Sequence, residues 1–365
     1  MKIIRQLFVT ILCCLSPGVG AAQPDSGKYQ AINITFVDQF AVPAYEAFDD
    51  AATHLARSAE AFCENMNDNT REGLVDSYYE AMDAWQWVQM ISIGPISFEL
   101  RRFRIQLWPD RRGNVSRHLD LLLSEKNTGA LSGAEFQTGS VAVQGLSALE
   151  ILIFDESGGL ATTTPVATEN DDSGFRCQVI NAIAQNVASI AKAVRTEWTE
   201  SDDAFRGYIE TASLGNAFFD SADGLSARIL HDLRVQLQTI VEYKIERPLS
   251  DTAESTRLRR AESWRSQRTI HNIRINLKAI HSAYDVSFRP FLSEELALRV
   301  DEKFNQADEL LAPIGEFSTA ALIDPVERER INAVIEVVDE LVQLFIQQIP
   351  AALDLNPGLT SLDGD

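Results

Sequence analysis

The middle of the chain reads Gly145-Leu146-Ser147-Ala148-Leu149-Glu150 and continues directly into Ile151-Leu152-Ile153-Phe154-Asp155. This stretch places one carboxylate within an otherwise apolar segment. If the segment is helical, residues three apart share a face, so Ser147 and Glu150 project from the same side. Because an unpaired carboxylate is costly to bury, we expect Glu150 to have a partner or a ligand.

Around this stretch, apolar residues recur at intervals of three and four, which is the pattern of amphipathic helices. One stripe contains Phe48, Ala52, Leu55, Ala59, Phe62 and Met66. Two others contain Leu74, Tyr78, Ala81, Trp85 and Val88, and Ile183, Val187, Ile190, Val194 and Trp198. No β-branched, alternating run is bounded by the dipeptides of a hairpin. The sequence therefore predicts an all-α fold.

A further helix is indicated near the C-terminal end. Asp324 is a candidate N-cap, Pro325 occupies the first helical position, and Glu327 completes a capping box. An apolar stripe then continues as far as Ile349, and we expect the helix to end at Pro350.

The clearest linker covers residues 156–174, where no apolar period is present. It contains Gly158-Gly159, Thr162-Thr163-Thr164-Pro165 and Glu169-Asn170-Asp171-Asp172. We predict an N-terminal helical bundle over residues 23–155, which carries the opening motif, and a C-terminal bundle over residues 175–365. A long Ala-rich helix opens each half, near Phe40 and near Arg176. The layout suggests an internal duplication; the alternative is a chance similarity, because the residues themselves do not repeat.

The first residues have the pattern of a secretory signal peptide over residues 1–22. Lys2 and Arg5 precede an apolar stretch from Leu7 to Leu15, and Ala21-Ala22 marks the cleavage region. The apolar stretch has about half of the roughly 20 residues that a membrane-spanning helix needs, and no later segment comes closer. We therefore expect a mature chain without a transmembrane segment, in the periplasm or secreted to the cell envelope.

Cys13 and Cys14 raise the question of a lipoprotein anchor. Such an anchor is disfavoured, because the preceding Thr10-Ile11-Leu12 lacks the small residue that usually comes just before a lipidated cysteine. The mature chain keeps Cys63 and Cys177, and an exported protein can join them in a disulfide. Two free buried thiols are the alternative, because spacing does not show whether two cysteines approach each other.

The mature surface is strongly acidic. Removing Lys2 and Arg5 changes the formal net charge from −21 to −23. A surface of this kind repels nucleic acid and anionic lipid, and it does not specify a partner by itself.

The opening motif resembles the Gly-x-His-x-x-Glu signature of the imelysin family, with Ser147 at the position of the histidine. Other segments resemble a bacterial branch of this family that is often described as predicted periplasmic lipoproteins. They are Trp85 with Gly94-Pro95, Arg101-Arg102-Phe103-Arg104, Trp108-Pro109-Asp110-Arg111-Arg112-Gly113, Arg176-Cys177, Ser263-Trp264-Arg265-Ser266 and Ser361-Leu362-Asp363-Gly364-Asp365. The matches cover nearly the whole mature chain.

The resemblance implies a helical fold of two halves related by a pseudo-two-fold axis. It also implies a cell-envelope location, an association with iron uptake and the family's label as a metallopeptidase. Envelope iron-transport proteins are the partners that it suggests.

The metallopeptidase label requires a metal, and here the chain departs from the family pattern. A His and a Glu three residues apart can offer N and O donors to one cation, whereas a Ser hydroxyl is a weak ligand for a first-row metal. The five histidines form neither a His-x-x-x-His pair nor a His-Glu-x-x-His motif, which excludes a zincin. Glu150 alone remains as a candidate ligand for iron or another divalent metal. The alternative is an ion pair of Glu150 with Arg101, Arg102 or Arg104.

Large aromatic residues near polar groups suit a ligand cleft. The candidate ligand-binding residues are therefore Trp85, Trp108 and Trp264, with Arg102, Asp110 and Ser266 and with the motif residues Ser147 and Glu150. Packing in the core is the alternative role of the tryptophans, and close helix packing is that of Ser147.

No catalytic motif is visible. The mature sequence has no Gly-x-Ser-x-Gly elbow, no phosphate-binding Gly-rich loop and no Cys-x-x-Cys. The sequence thus favours a non-enzymatic binding or accessory component of iron uptake over an atypical metallopeptidase. A third hypothesis is an envelope interaction module without a small-ligand site.

Overall fold

The computed structural model describes residues 26–156, 173–201 and 203–356, and every regular element within these ranges is helical. The predicted all-α fold is confirmed. The α-helices of these ranges are α1 (Ser26–Phe36), α2 (Val42–Glu64), α3 (Asp68–Val88), α4 (Arg101–Ile105), α5 (Asn114–Glu125), α6 (Gly133–Thr138), α7 (Leu146–Ile153), α8 (Ser173–Thr199), α9 (Phe205–Glu210), α10 (Ala222–Thr239), α11 (Arg247–Leu249), α12 (Thr269–Ser287), α13 (Glu294–Leu311), α14 (Thr319–Ile323), α15 (Pro325–Gln343) and α16 (Ile349–Leu353). Three π-helical segments join α1 to α2, α10 to α11 and α15 to α16; they are Val37–Ala41, Ile240–Glu246 and Leu344–Gln348.

Helix α2 lies at the centre of one group of helices and packs along both α3 and α8. The stripes predicted for these three helices are buried, as their spacing requires. Met66 is the exception, because α2 ends at Glu64 and the methionine lies beyond it, partly buried.

A second group is formed around α12, which packs against α1, α3, α10 and α13. One continuous hydrophobic core includes Phe48 and Trp85 together with Leu277 and Val338. Helices that precede and follow residues 156–174 therefore share a core. Most of the predicted linker, residues 157–172, lies outside the described ranges, as do the predicted signal peptide and the terminal motif, and the division into two bundles stays a prediction.

The start of α15 forms for the predicted reason, with one difference. The Asp324 side chain accepts hydrogen bonds from the N–H groups of Val326 and Glu327 at 2.9 and 3.0 Å, so it is the N-cap. The predicted capping box is wrong, because the Asp324 N–H donates to the carbonyl of Ala320 and the Glu327 carboxylate pairs with Arg330.

The helical path also continues beyond the expected end. Pro350 lies in α16, directly after the π-helical segment Leu344–Gln348. The helix that starts at Pro325 is thereby prolonged through a π-helical segment to Leu353.

Cys63 and Cys177 form a disulfide with their Cα atoms 5.5 Å apart. It ties the last turn of α2 to the first turns of α8. Across the described residues, no helix is both long and apolar enough to span a membrane.

Candidate functional site

A cavity of about 550 Å³ opens beside the Gly145–Glu150 motif. Its walls come from the loop between α4 and α5, from α7, from α11 and from the segment that precedes α12. Five of the predicted ligand-binding residues line it together, namely Trp108, Asp110, Ser147, Glu150 and Trp264. Segments far apart in sequence thus place most of the predicted set in one site.

Gly145 fixes the position of α7 in this wall. A Cβ atom on residue 145 would lie 2.1 Å from the carbonyl oxygen of Ile105 and 2.4 Å from that of Arg104. Only glycine therefore lets α7 begin directly against the end of α4. The Ser147 hydroxyl then donates to the carbonyl of Leu107 at 3.2 Å, which joins the motif to the loop that carries Trp108.

The Glu150 carboxylate is held by the backbone across the cavity. Its Oε1 accepts hydrogen bonds from the N–H of Arg265 at 3.1 Å and from the N–H and hydroxyl of Ser266, both at 2.9 Å. Burial raises the pKa of the Glu150 carboxyl, while the hydrogen bonds from Ser266 and the charge of Arg265 act in the opposite direction. Ser266 lies behind the cavity wall and acts on the site through Glu150.

The ion pair considered for Glu150 is not formed, because each of the three arginines has other neighbours. Arg101 binds the Glu197 carboxylate through two hydrogen bonds of 2.7 and 2.8 Å. Arg104 donates to the side chains of Gln144 and Asn186. Arg102 is attracted by Asp232, and burial lowers the pKa of its guanidinium. Arg102 does not line the cavity.

Asp110 has a structural task at the cavity wall. Its carboxylate accepts hydrogen bonds from the N–H groups of Asn114 and Val115 at 2.9 and 2.8 Å, so it satisfies free donors in the first turn of α5. Trp264 faces the guanidinium of Arg265, whose centre lies 4.3 Å from the ring centroid. Asp110 and Trp264 therefore each have neighbours that fix the position of the side chain.

Trp85 does not line the cavity, because it is packed in the core with 1% of its surface exposed. Its Nε1–H donates to Oε1 of Gln106 at 2.7 Å. The Nε2 of Gln106 in turn donates to the buried Glu262 at 3.0 Å. Trp85 thus contacts a polar network behind the site.

Lys244 is the centre of this network. Its ammonium donates to Glu262 at 2.6 Å, to Gln86 at 2.8 Å and to Asn276 at 2.6 Å. Burial lowers the pKa of Lys244, and the Glu262 carboxylate opposes that shift. The same Nζ lies 5.6 Å from the ring centroid of Trp108, so the network lies directly behind the cavity.

The donor groups at the motif do not fit a first-row metal. The Ser147 hydroxyl hydrogen is used on a carbonyl, and Oε1 of Glu150 already accepts three hydrogen bonds. In the part of the chain that the structure describes, no group of three or more His, Cys, Asp or Glu side chains could hold a metal ion. A first-row metal site needs several such donors at one point.

The cavity also contains arginines that the site prediction did not include. They are Arg111, Arg247, Arg259, Arg260 and Arg265. The run Arg257-Leu258-Arg259-Arg260 is a local basic cluster in an acidic chain, and this signal could have indicated Arg259 and Arg260. The negative net charge of the whole chain gives no indication of this local cluster.

The family model described as Imelysin, a peptidase M75 model, matches residues 41–345. The fold is similar to an imelysin-like protein from Psychrobacter arcticum 273-4, with a TM-score of 0.72, 17% identity, and coverage of 92% of this chain and 98% of that one. It is also similar to a putative iron-regulated protein A precursor from Parabacteroides distasonis ATCC 8503, with a TM-score of 0.75, 14% identity, and coverage of 92% and 97%. The sequence matches no curated protein.

Proposed function

This chain belongs to the imelysin family, and from that premise we propose that it is a non-enzymatic binding or accessory component of iron uptake at the cell envelope. The observation that carries the proposal is the state of the family motif. Ser147 replaces the imidazole and donates to a backbone carbonyl, and Glu150 holds the backbone of Arg265 and Ser266. With a hydroxyl in place of the imidazole, the motif lacks the nitrogen donor that a first-row metal site of this kind needs.

The association with iron rests on similarity of fold. One structural neighbour is described as a putative iron-regulated protein A precursor. The N-terminal pattern of a signal peptide supports export, and a disulfide between Cys63 and Cys177 suits an oxidising compartment. In this proposal the cavity beside the motif binds a ligand, and the protein interacts with envelope iron-transport proteins.

The proposal is tested by metal analysis of the purified mature protein. We expect wild type and Glu150→Ala to bind no stoichiometric iron or zinc, and Ser147→His to gain a site by restoring an imidazole three residues before the carboxylate. Ser147→Asn is the control, because it adds a polar side chain without an imidazole. Stoichiometric metal in wild type that is lost in Glu150→Ala, together with chelator-sensitive cleavage of a protein, would instead support an atypical metallopeptidase.

A growth experiment tests the link to iron. Deleting the gene should slow growth on limiting iron, and the wild-type chain should restore it. Equal growth of the deletion strain and its parent on limiting iron would contradict the role in iron uptake. If variants whose cavity can no longer bind a ligand fully restored growth on limiting iron, the envelope interaction module would be favoured.

A further inference from the structure

The cavity wall carries more arginines than carboxylates, although the chain as a whole is acidic. The protein carries a formal net charge of −21, yet five arginines line this one cavity. Three carboxylates, those of Asp110, Glu150 and Glu156, line it as well. Whether the site prefers an anion therefore depends on how these carboxylates are engaged.

All three carboxylates have other partners. Asp110 accepts from the backbone at the start of α5, and Glu150 accepts from the backbone at Arg265 and Ser266. Glu156 pairs with Arg259 at 2.6 Å and lies 3.8 Å from Arg265. One carboxylate thus pairs with two of the five arginines and cancels the charge of only one of them.

The other three arginines, Arg111, Arg247 and Arg260, form no ion pair with any carboxylate of the described residues. Arg111 and Arg247 each lie 5.5 Å from the ring centroid of Tyr243, and the Arg111 guanidinium donates to the Tyr243 hydroxyl at 2.9 Å. Burial lowers the pKa of Arg247, and the charges of Arg111 and Arg260 lower it further. The three cations are therefore close enough to repel one another.

A group of like charges around one cavity is unfavourable unless an anion compensates it. Guanidinium groups bind carboxylate and phosphate oxygens through paired hydrogen bonds, and a cavity concentrates their field. The volume of about 550 Å³ is that of a small-molecule site. Trp108 and Trp264 on the wall add flat apolar surface for the carbon skeleton of a ligand.

We infer that this cavity binds a small polyanion, a molecule with two or more carboxylate or phosphate groups, through Arg111, Arg247 and Arg260. The inference names the ligand class of the cavity and in that respect rests on the proposed function. Two sources share this chemistry: a free polycarboxylate, and the ferric chelate of one.

The test measures binding of citrate, ferric citrate and inorganic phosphate to the mature protein by calorimetry and by the fluorescence of its tryptophans. We expect citrate to bind and phosphate to bind more weakly, because a single phosphate reaches fewer guanidinium groups. Arg247→Gln and Arg260→Gln should each weaken citrate binding by about tenfold, the effect of losing one charged hydrogen-bonding group. Raising the salt concentration should weaken it as well.

Arg257→Gln is the matched control. Arg257 is an exposed neighbour in the same basic run, it does not line the cavity, and it donates to the backbone carbonyls of Glu254 and Thr256. Its substitution removes the same charge and should leave citrate binding unchanged. Because Arg260 is exposed, Arg260→Glu gives a second variant that does not depend on buried packing.

Absence of citrate binding at millimolar concentration overturns the inference. Equal weakening by Arg257→Gln and Arg260→Gln overturns it too, since the effect would then be one of overall charge. Citrate binding without preference for the ferric chelate supports the polyanion site and contradicts an iron cargo. A preference for ferric citrate that is lost in Arg260→Glu supports both the polyanion site and an iron cargo.

Discussion

At the scale of single residues, the hydrogen bonds to one oxygen atom of Glu150 explain how a carboxylate is accommodated in the apolar helix α7. Oε1 accepts hydrogen bonds from two consecutive backbone N–H groups and from a hydroxyl. The sequence predicted that Glu150 would have a partner and that Ser147 shares its face. It did not predict which partner, because Arg265 and Ser266 lie in an irregular segment more than a hundred residues further along the chain.

This arrangement predicts different effects of two substitutions at Glu150. Glu150→Ala leaves the N–H groups of Arg265 and Ser266 without an acceptor and should lower the free energy of unfolding by about 3–5 kcal/mol. Glu150→Gln keeps an oxygen in the place of Oε1 and should cost about 1 kcal/mol or less. Urea denaturation measures both values. Equal losses for the two variants would contradict the assigned role of Oε1.

The same carboxylate predicts a pH dependence. Burial raises the pKa of Glu150 above its ordinary value of 4.5. At pH values between 4.5 and this raised pKa, the folded protein therefore binds more protons than the unfolded chain. The Glu150 contribution to the free energy of unfolding is therefore fully present below pH 4.5 and declines as the pH rises through the raised pKa. Glu150→Gln should lack this decline in denaturation curves recorded at several pH values. A difference between variant and wild type that does not change with pH would refute it.

At the scale of elements, the helices were largely predictable and the segments between them were not. The apolar stripe of α3, with Leu74, Tyr78 and Trp85, is buried as its spacing indicates. Lys244 occupies a core position in a π-helical segment, where periodicity would place an apolar residue. Its partner Glu262 lies in a segment without helical period, so the sequence pattern could not show that the two meet.

This buried pair should stabilise the segment that carries Trp264 and the arginines of the cavity. Lys244→Met leaves the Glu262 carboxylate buried without its cation and should cost about 3–5 kcal/mol. The double variant Lys244→Met/Glu262→Gln should recover much of that loss, because no uncompensated charge remains. A double-mutant cycle from denaturation curves gives the coupling energy. Simple additivity of the two substitutions would contradict a direct pair.

At the scale of the whole molecule, helices that precede residues 157–172 pack against helices that follow them. Helix α8 packs along α2, and α1 packs against α10 and α12. For the same reason, the cavity is lined by side chains as far apart in sequence as Leu107 and Arg265. The site prediction included five residues of this wall, chosen as the aromatic and polar residues of segments that resemble the family. Arg247 was missed, because only the chain's path brings it near Arg111.

The disulfide closes this arrangement covalently, across 114 positions of the sequence. In the chain-entropy model, a loop of that length contributes about 4–5 kcal/mol by restricting the unfolded chain. Cys63→Ser/Cys177→Ser should lower the free energy of unfolding by that order, measured by urea denaturation of the oxidised wild type and the variant. Reduced wild type should behave as the variant does. No difference between oxidised and reduced protein would show that the bond adds nothing to stability.

The same bond makes a ring of the chain between Cys63 and Cys177. Trp108, Asp110, Ser147 and Glu150 all lie on that ring. A protease that cuts the backbone once anywhere within it cannot release a fragment, because the two pieces remain joined through sulfur. In a compartment that contains proteases, a nicked molecule would keep this side of the cavity together until the bond is reduced.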